Sequence, residues 1–299
     1  MKIWFFRLMS AIARYRVGIG VIEACTWCIT TIYFLFSDRQ RAISVRFYEA
    51  LFPSKNHLFH LWCAWRQFHH FSTVFSDHLV AGSREIFCES HGIDNIQEAS
   101  LPGRRGILLM SHVGNWQIAA RKLSDYGIKV ALFLGSKQAQ AIEARMKADL
   151  GAVGITIVSV PENEAAPLIV LEALHFLRNE GLIAMPGDRI WSQEQKSIEI
   201  EFLGHTVRLP QAPFAMAMSL KVPLFAFFII RTGRARYRII YPPPIVMQAA
   251  SRADREQCMR EAARTYLVML EEVLRQYPDH WYCFEPFLEP SVEWAHEHG

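Results

Sequence analysis

The spacing of apolar and polar positions changes character twice along the chain. Residues Val17–Phe36 form a mainly apolar stretch with a single charge, Glu23. As a helix this stretch would be about 30 Å long, the thickness of a bilayer's hydrocarbon core. From Asp38 to about Ala81, apolar residues such as Phe59, Trp62, Cys63, Trp65 and Phe68 keep a three- and four-residue spacing, which predicts helix. After Gly82 short apolar runs take over, at Arg84–Glu89, Gly106–Met110, Lys129–Leu134, Ile155–Val160, Leu182–Met185, Ser197–Phe202, Leu224–Ile230 and Arg236–Tyr241. Between them lie helical patterns at Asn115–Tyr126, Lys137–Gly151, Asn163–Glu180 and Pro210–Leu220, and a long one from about Arg252 to Gln276 closes the pattern. Strands alternating with helices predict an α/β domain with a mostly parallel central sheet flanked by helices. The expected organisation is an apolar anchor over residues 1–37, then one α/β domain over 38–299 whose first part, 38–81, is a helical lead-in.

Composition narrows the class. The chain is 51% hydrophobic and 12% aromatic, with a net charge of only +3. That is apolar for a soluble enzyme, yet far from the composition of a polytopic membrane protein. No basic run with interleaved aromatics supports nucleic-acid binding. Val17–Phe36 is too long for a signal peptide's apolar region and lacks a small-residue cleavage site, so a membrane anchor is expected. Arginines flank it on both sides (Arg7, Arg14 and Arg16 before, Arg39, Arg41 and Arg46 after), so charge gives no orientation. The six cysteines lie in apolar surroundings, and Cys25-x-x-Cys28 lacks a second pair or histidines at ligand spacing, so all six are expected to be buried free thiols. His69 and His70 are expected to pack or lie at the surface, and no metal site is expected.

The segment richest in chemistry runs Gly106-Ile-Leu-Leu-Met-Ser-His112-Val-Gly-Asn115-Trp116-Gln117. A buried strand ends just before His112, and a helix begins near Asn115. Carboxyl ends of strands in open α/β sheets are where sites are built. A histidine there can move a proton near neutral pH, or it can simply cap the turn. Asn115 suits a helix cap first and a substrate contact second, while Trp116 suits packing or a substrate wall. No Gly-x-Ser-x-Gly elbow surrounds a serine, which disfavours a serine-hydrolase mechanism.

At these residues the chain resembles the late acyltransferases of lipid A biosynthesis, within the lysophospholipid acyltransferase superfamily. Ser-His112-Val-Gly-Asn-Trp-Gln117 looks like their His-x4-acid block. Met185-Pro-Gly-Asp188-Arg189 and Ile198–Pro210 resemble their Gly-Asp-Arg and Phe-Phe-Gly segments, and Tyr277-Pro-Asp-His-Trp281-Tyr-Cys-Phe284 resembles their C-terminal Pro-x-x-Trp-Phe signature. The blocks occur in the family's order and approximate spacing.

The resemblance implies transfer of a fatty acyl group from a thioester, on acyl carrier protein or coenzyme A, to a hydroxyl of a lipid or glycolipid at the cytoplasmic face of the inner membrane. His112 would be the base, Gly114–Trp116 backbone donors would hold the oxyanion, and no cofactor would be needed beyond the co-substrate. Arg189 would contact a donor phosphate or the acceptor headgroup, though it also suits an internal salt bridge; Arg208, just before Pro210 at the start of an expected helix, is placed to contact an anion, though it also suits a solvated charge. Arg104, Arg105 and Arg234 would meet an acidic carrier.

The chain departs from that pattern at Gln117, where the family has a carboxylate. An amide can accept the same hydrogen bond but carries no charge. Asp188, which follows Leu182–Met185 as His112 follows Gly106–Met110, is the first replacement candidate; Glu201 is the second. The remaining possibilities are a slower dyad with Gln117 and a silent lipid-binding scaffold, beside a thioester hydrolase in which water replaces the acceptor.

Overall fold

The computed structural model describes residues 16–81, 86–100, 105–135, 151, 154–160, 166–179, 181–190, 195–249 and 251–288. Among the described residues three helices come first: α1 (Arg16–Phe36), α2 (Asp38–Leu51) and α3 (His57–Ala81). The helical stretch expected from Asp38 to Ala81 is therefore two helices. Pro53 divides them, because it lacks an N–H and disfavours helical backbone in the residue before it. α3 restarts where the Asn56 side chain accepts the Phe59 N–H at 2.9 Å. Between α1 and α2 the chain bends by 88°. Arg41 holds this bend by donating to the Phe34 and Leu35 carbonyls, at 2.8 Å each, two acceptors that the end of α1 leaves open.

Ile22 and Phe34 of α1 are buried, and Phe34 meets Phe68 of α3 edge to face with centroids 5.1 Å apart. Val21, Ile29, Ile32, Tyr33, Leu35 and Phe36 remain exposed. Among the described residues no single helix is long and apolar enough to cross a membrane; by length and composition only the bent α1–α2 pair could do so. All six cysteines are unpaired, but Cys25 and Cys28 are exposed on α1 rather than buried.

The central sheet has five parallel strands, β2 (Ile107–Met110), β3 (Lys129–Gly135), β4 (Ile155–Val160), β5 (Gly181–Pro186) and β8 (Leu224–Ala226), in the order β4-β3-β5-β2-β8. Helices cover both faces of the inner strands, so β2 and β5 read as unbroken apolar runs. Ile107, Leu109, Ile183 and Met185 point into a core shared with α7 (Ala212–Leu220) and α8 (Arg255–Gln276), where Phe214, Tyr266 and Leu270 are fully buried. Leu108, Leu182 and Ala184 point the other way, toward α4 (Ile93–Ser100) and Ile118 and Leu123 of α5 (Trp116–Asp125). The first core also takes Ala173, Phe176 and Leu177 from α6 (Ala166–Asn179).

Two smaller sheets flank this one. β1 (Phe87–His91), β10 (Arg236–Ile240) and β9 (Phe228–Gly233) form the first, in that order. The run Leu224–Ile230, expected as one strand, splits at Phe227 between β8 and β9 and so serves two sheets. β6 (Ser197–Phe202) and β7 (His205–Pro210) form a separate hairpin. Leu203 and Gly204 turn it with φ of 53° and 77°, the paired positive values of a two-residue turn that fits strand twist. Pro210 ends β7 instead of starting the next helix, which begins at Ala212. The helix expected at Lys137–Gly151 falls almost entirely outside the described residues.

Candidate active site

Strand register brings the site together. Met110 of β2 pairs with Pro186 of β5, and Gly187 N–H donates to the Met110 carbonyl at 2.8 Å. Two residues beyond each strand, His112 and Asp188 therefore lie side by side. Asp188 Oδ1 is 2.8 Å from His112 Nδ1, and Asp188 Oδ2 accepts the His112 backbone N–H at 2.7 Å. A Cβ on Gly187 would come within 2.5 Å of Leu109 Cγ, so the close strand approach depends on glycine.

A third segment locks the pair. After α8 the chain makes a short 3-10 turn at Pro278–His280 and runs antiparallel past the His112 loop. Gly114 N–H donates to His280 O and Tyr282 N–H to His112 O, each at 2.8 Å. Trp281 Nε1–H donates to Asp188 Oδ2 at 3.0 Å. Its indole is fully buried between Phe47 and Phe287, with centroids 4.8 and 4.9 Å away. Trp281 belongs to a recognised sequence block, but no spacing in the chain points to its bond with Asp188.

Electrostatics follows from this packing. Burial alone would push the His112 pKa down; the Asp188 charge and hydrogen bond outweigh it, and the net shift is upward. Asp188 is buried, which disfavours its charge. The His112 charge, two hydrogen bonds from His112 and one from Trp281 more than offset this, so its pKa falls below the usual carboxylate range. Such a pair can carry a proton from an acceptor hydroxyl while keeping the resulting imidazolium neutralised.

The other expected site residues are placed as follows. The Asn115 side chain caps α5, accepting the Gln117 N–H at 3.1 Å. Trp116 packs on the core under the sheet. Gln117 is half-buried in the first turn of α5, and His112 Nδ1 pairs with Asp188 instead of with it. Arg189 meets Glu285 at 2.9 Å, so the internal salt bridge considered for this block runs to Glu285 and not to Asp188. Arg208 lies within β7, not at a helix start, and donates to Ser197 at 3.2 Å. Glu201 is an exposed strand residue opposite Thr206, which removes it as a partner of His112. Arg104 lies outside the described residues, and Arg234 is paired with Glu23.

The model for bacterial lipid A biosynthesis acyltransferases matches residues 66–288. The chain belongs to that family. No curated protein matches it. The matched region starts within α3 and contains both strand ends and the Trp281 segment, so the geometry above belongs to an acyltransferase.

Among the described residues of this acyltransferase, His70, Asp279 and His280 bring three possible metal ligands within 4.8 Å of one another. Arg66 already answers the Asp279 charge at 2.6 Å, and the two His280 ring nitrogens face Asp279 Oδ1 at 3.1 Å and Arg231 O at 3.2 Å. His70 Nδ1 also meets the Tyr282 hydroxyl at 2.8 Å, so each of the three side chains has a protein partner.

Two predictions arise here. Gln117→Glu leaves the transfer rate within about threefold of wild type, because the charge partner of His112 is already in place and a first-turn carboxylate adds only about 0.3–1 kcal/mol of helix stabilisation. A rate gain of tenfold or more in steady-state assays would assign the partner role to position 117. Gly114 has φ +71°, and a Cβ there would lie 1.8 Å from the Ile229 carbonyl oxygen. Gly114→Ala therefore costs at least about 1–2 kcal/mol from backbone conformation alone, and more from the clash. A thermal melt should show a drop of several degrees together with loss of activity.

Proposed function

We propose that this acyltransferase transfers a fatty acyl group from an acyl thioester to a hydroxyl of a lipid or glycolipid, with His112 as general base and Asp188 as its charge partner. The observation that carries this reading is the His112–Asp188 pair at adjacent parallel strand ends. Ionised Asp188 can only accept, so Nδ1 carries the hydrogen and the neutral imidazole presents its lone pair at Nε2. That atom takes the acceptor's O–H proton as the oxygen attacks the thioester carbonyl carbon. The C–S bond then breaks, and the imidazolium returns the proton to the departing thiolate. Direct transfer of this kind needs neither a covalent enzyme intermediate nor a metal.

Gly114 N–H is committed to His280 O and leaves the set of oxyanion donors. The Asn115 and Trp116 N–H groups at the start of α5 remain, where the helix dipole favours negative charge. Arg189 lies close enough to lower the His112 pKa, which suits a role beside a substrate phosphate. The exposed apolar side of α1 supports attachment to a membrane, and the family resemblance suggests the cytoplasmic face of the inner membrane. The donor is acyl carrier protein or coenzyme A.

The test reconstitutes the full chain in phospholipid vesicles, confirms by flotation that it stays with lipid, and supplies acyl carrier protein and coenzyme A thioesters separately. Mass spectrometry then follows the acyl chain. A new ester on a lipid hydroxyl is expected from one donor or both. Free fatty acid at the same rate with and without acceptor would make the protein a thioester hydrolase, and no turnover would make it a lipid-binding scaffold.

A further inference from the structure

Asp188 is buried, and three N–H groups hold its carboxylate. Two belong to His112, the ring Nδ1–H at Oδ1 and the backbone N–H at Oδ2. Among the described residues the Trp281 indole is the one donor to Asp188 from another segment. The bonds from His112 move with the loop that carries it, so they do not fix the carboxylate against that loop. The indole does, because it reaches Oδ2 from a separate stretch of chain.

We propose that Trp281 is a positioning residue for the acyl transfer, aiming Asp188 at the His112 ring. The inference rests on the reading of His112 as base and Asp188 as its partner, and it adds the group that aligns them. With two donors on Oδ2, the carboxylate cannot turn about its Cβ–Cγ bond without breaking one of them, and Oδ1 stays 2.8 Å from Nδ1. The same indole bond helps the buried carboxylate keep its charge. Packing alone does not call for tryptophan here. A phenyl ring could also sit between Phe47 and Phe287, whereas a buried indole N–H needs an acceptor.

A group can aim another only if it is itself held. Helices α2 and α3 hold this segment almost residue by residue. The Tyr48 hydroxyl of α2 donates to the Pro278 carbonyl at 2.8 Å. From α3, Arg66 meets Asp279 at 2.6 Å, Gln67 Nε2 donates to the Trp281 carbonyl, and His70 Nδ1 lies 2.8 Å from the Tyr282 hydroxyl. Trp281 also forms a β-bridge with Val113, the residue after the proposed base. The N-terminal helices therefore reach the catalytic pair through Trp281, although neither pair residue lies on them.

The experiment compares the full chain in detergent micelles with Trp281→Phe and with a chain carrying benzothienylalanine in place of Trp281. That analogue keeps the bicyclic ring and exchanges only the N–H for sulfur, which guards against a poorly packed phenylalanine variant. Single-turnover rates should fall about tenfold in both, the value of a hydrogen bond to a charged group, with little change in KM for the thioester. In an Asp188→Ala background there is no carboxylate to aim, so adding Trp281→Phe should lower the rate by less than about twofold more. Proton NMR with isotope-labelled histidine gives a readout that needs no turnover. The His112 Nδ1–H resonance should lie far downfield in the wild type and move upfield in the benzothienylalanine protein. A full rate loss repeated in the Asp188→Ala background would make Trp281 a packing residue and overturn the inference. An unmoved resonance with a wild-type rate in the benzothienylalanine protein would overturn it as well. A resonance that moves upfield in a protein transferring no acyl group would support the positioning and count against the proposed reaction.

Discussion

His112→Ala should lower kcat by about 10²–10⁴, the usual contribution of a positioned acid–base group, with little change in the apparent affinity for the thioester. The substitution removes the atom proposed to take the hydroxyl proton but none of the elements that place the substrates. The imidazole is partly exposed at its edge, so its loss opens a space that joins the surface and not a sealed cavity. Asp188 would lose one hydrogen bond yet keep those from the His112 backbone N–H and the Trp281 indole. A bond to a charged group contributes about 1.5–3 kcal/mol, so the variant should melt earlier while remaining folded. Single-turnover assays separate the effects, because a folding defect would scale the active fraction and leave the rate of that fraction unchanged. A folded His112→Ala protein with wild-type turnover would end the base assignment.

The parallel sheet is legible in the sequence because strands buried on both faces must be apolar at every position, as Gly106–Met110 and Leu182–Met185 are. The nearness of His112 and Asp188 follows from the same source. Each stands two residues past a parallel strand, and neighbouring parallel strands end together. Other features carry no local signal. Leu224–Ile230 is an uninterrupted apolar run, so nothing in it marks the switch of sheets at Phe227. Pro210 fits the end of a strand as well as the first turn of a helix, and that ambiguity put Arg208 at a helix start it does not occupy. The Trp281 bond to Asp188 joins residues separated by 93 positions. Tertiary contacts of this kind have no periodicity to reveal them. Gln117 carries the opposite lesson: the motif position is locally obvious, but the carboxylate beside the histidine comes from another strand.

Asp188→Asn tests that substitution of partners, and it should lower kcat by about 10² or more. A histidine base becomes cationic in the transition state, and a buried site makes an unneutralised cation costly. Exchanging the acid for an amide in the serine-protease triad costs about 10⁴. A structural role through Arg189 is not available as the explanation, since Arg189 is paired with Glu285; Arg189→Ala should not reproduce the loss.

The pH dependence gives a second reading of the same change. Asp188 raises the His112 pKa, and only the neutral imidazole can act as base. The wild-type rate should therefore climb with pH through a midpoint above about 6.5, the unperturbed histidine value. Asp188→Asn removes the charge, the larger of the two contributions that raise the pKa, while burial continues to lower it. The midpoint should move downward while the plateau falls.

Stability should follow the matching signs. The His112 contribution is complete below its unfolded pKa and disappears as pH rises through its raised folded value. The Asp188 contribution is present above its unfolded pKa and disappears as pH falls through its lowered one. The wild type should then exceed Asp188→Asn in stability most between about pH 4 and pH 6.5, the interval between the two unfolded-state values. Denaturant midpoints across pH measure this directly. A variant that kept both the wild-type plateau and the wild-type rate midpoint would show that Asp188 is not the partner of the base.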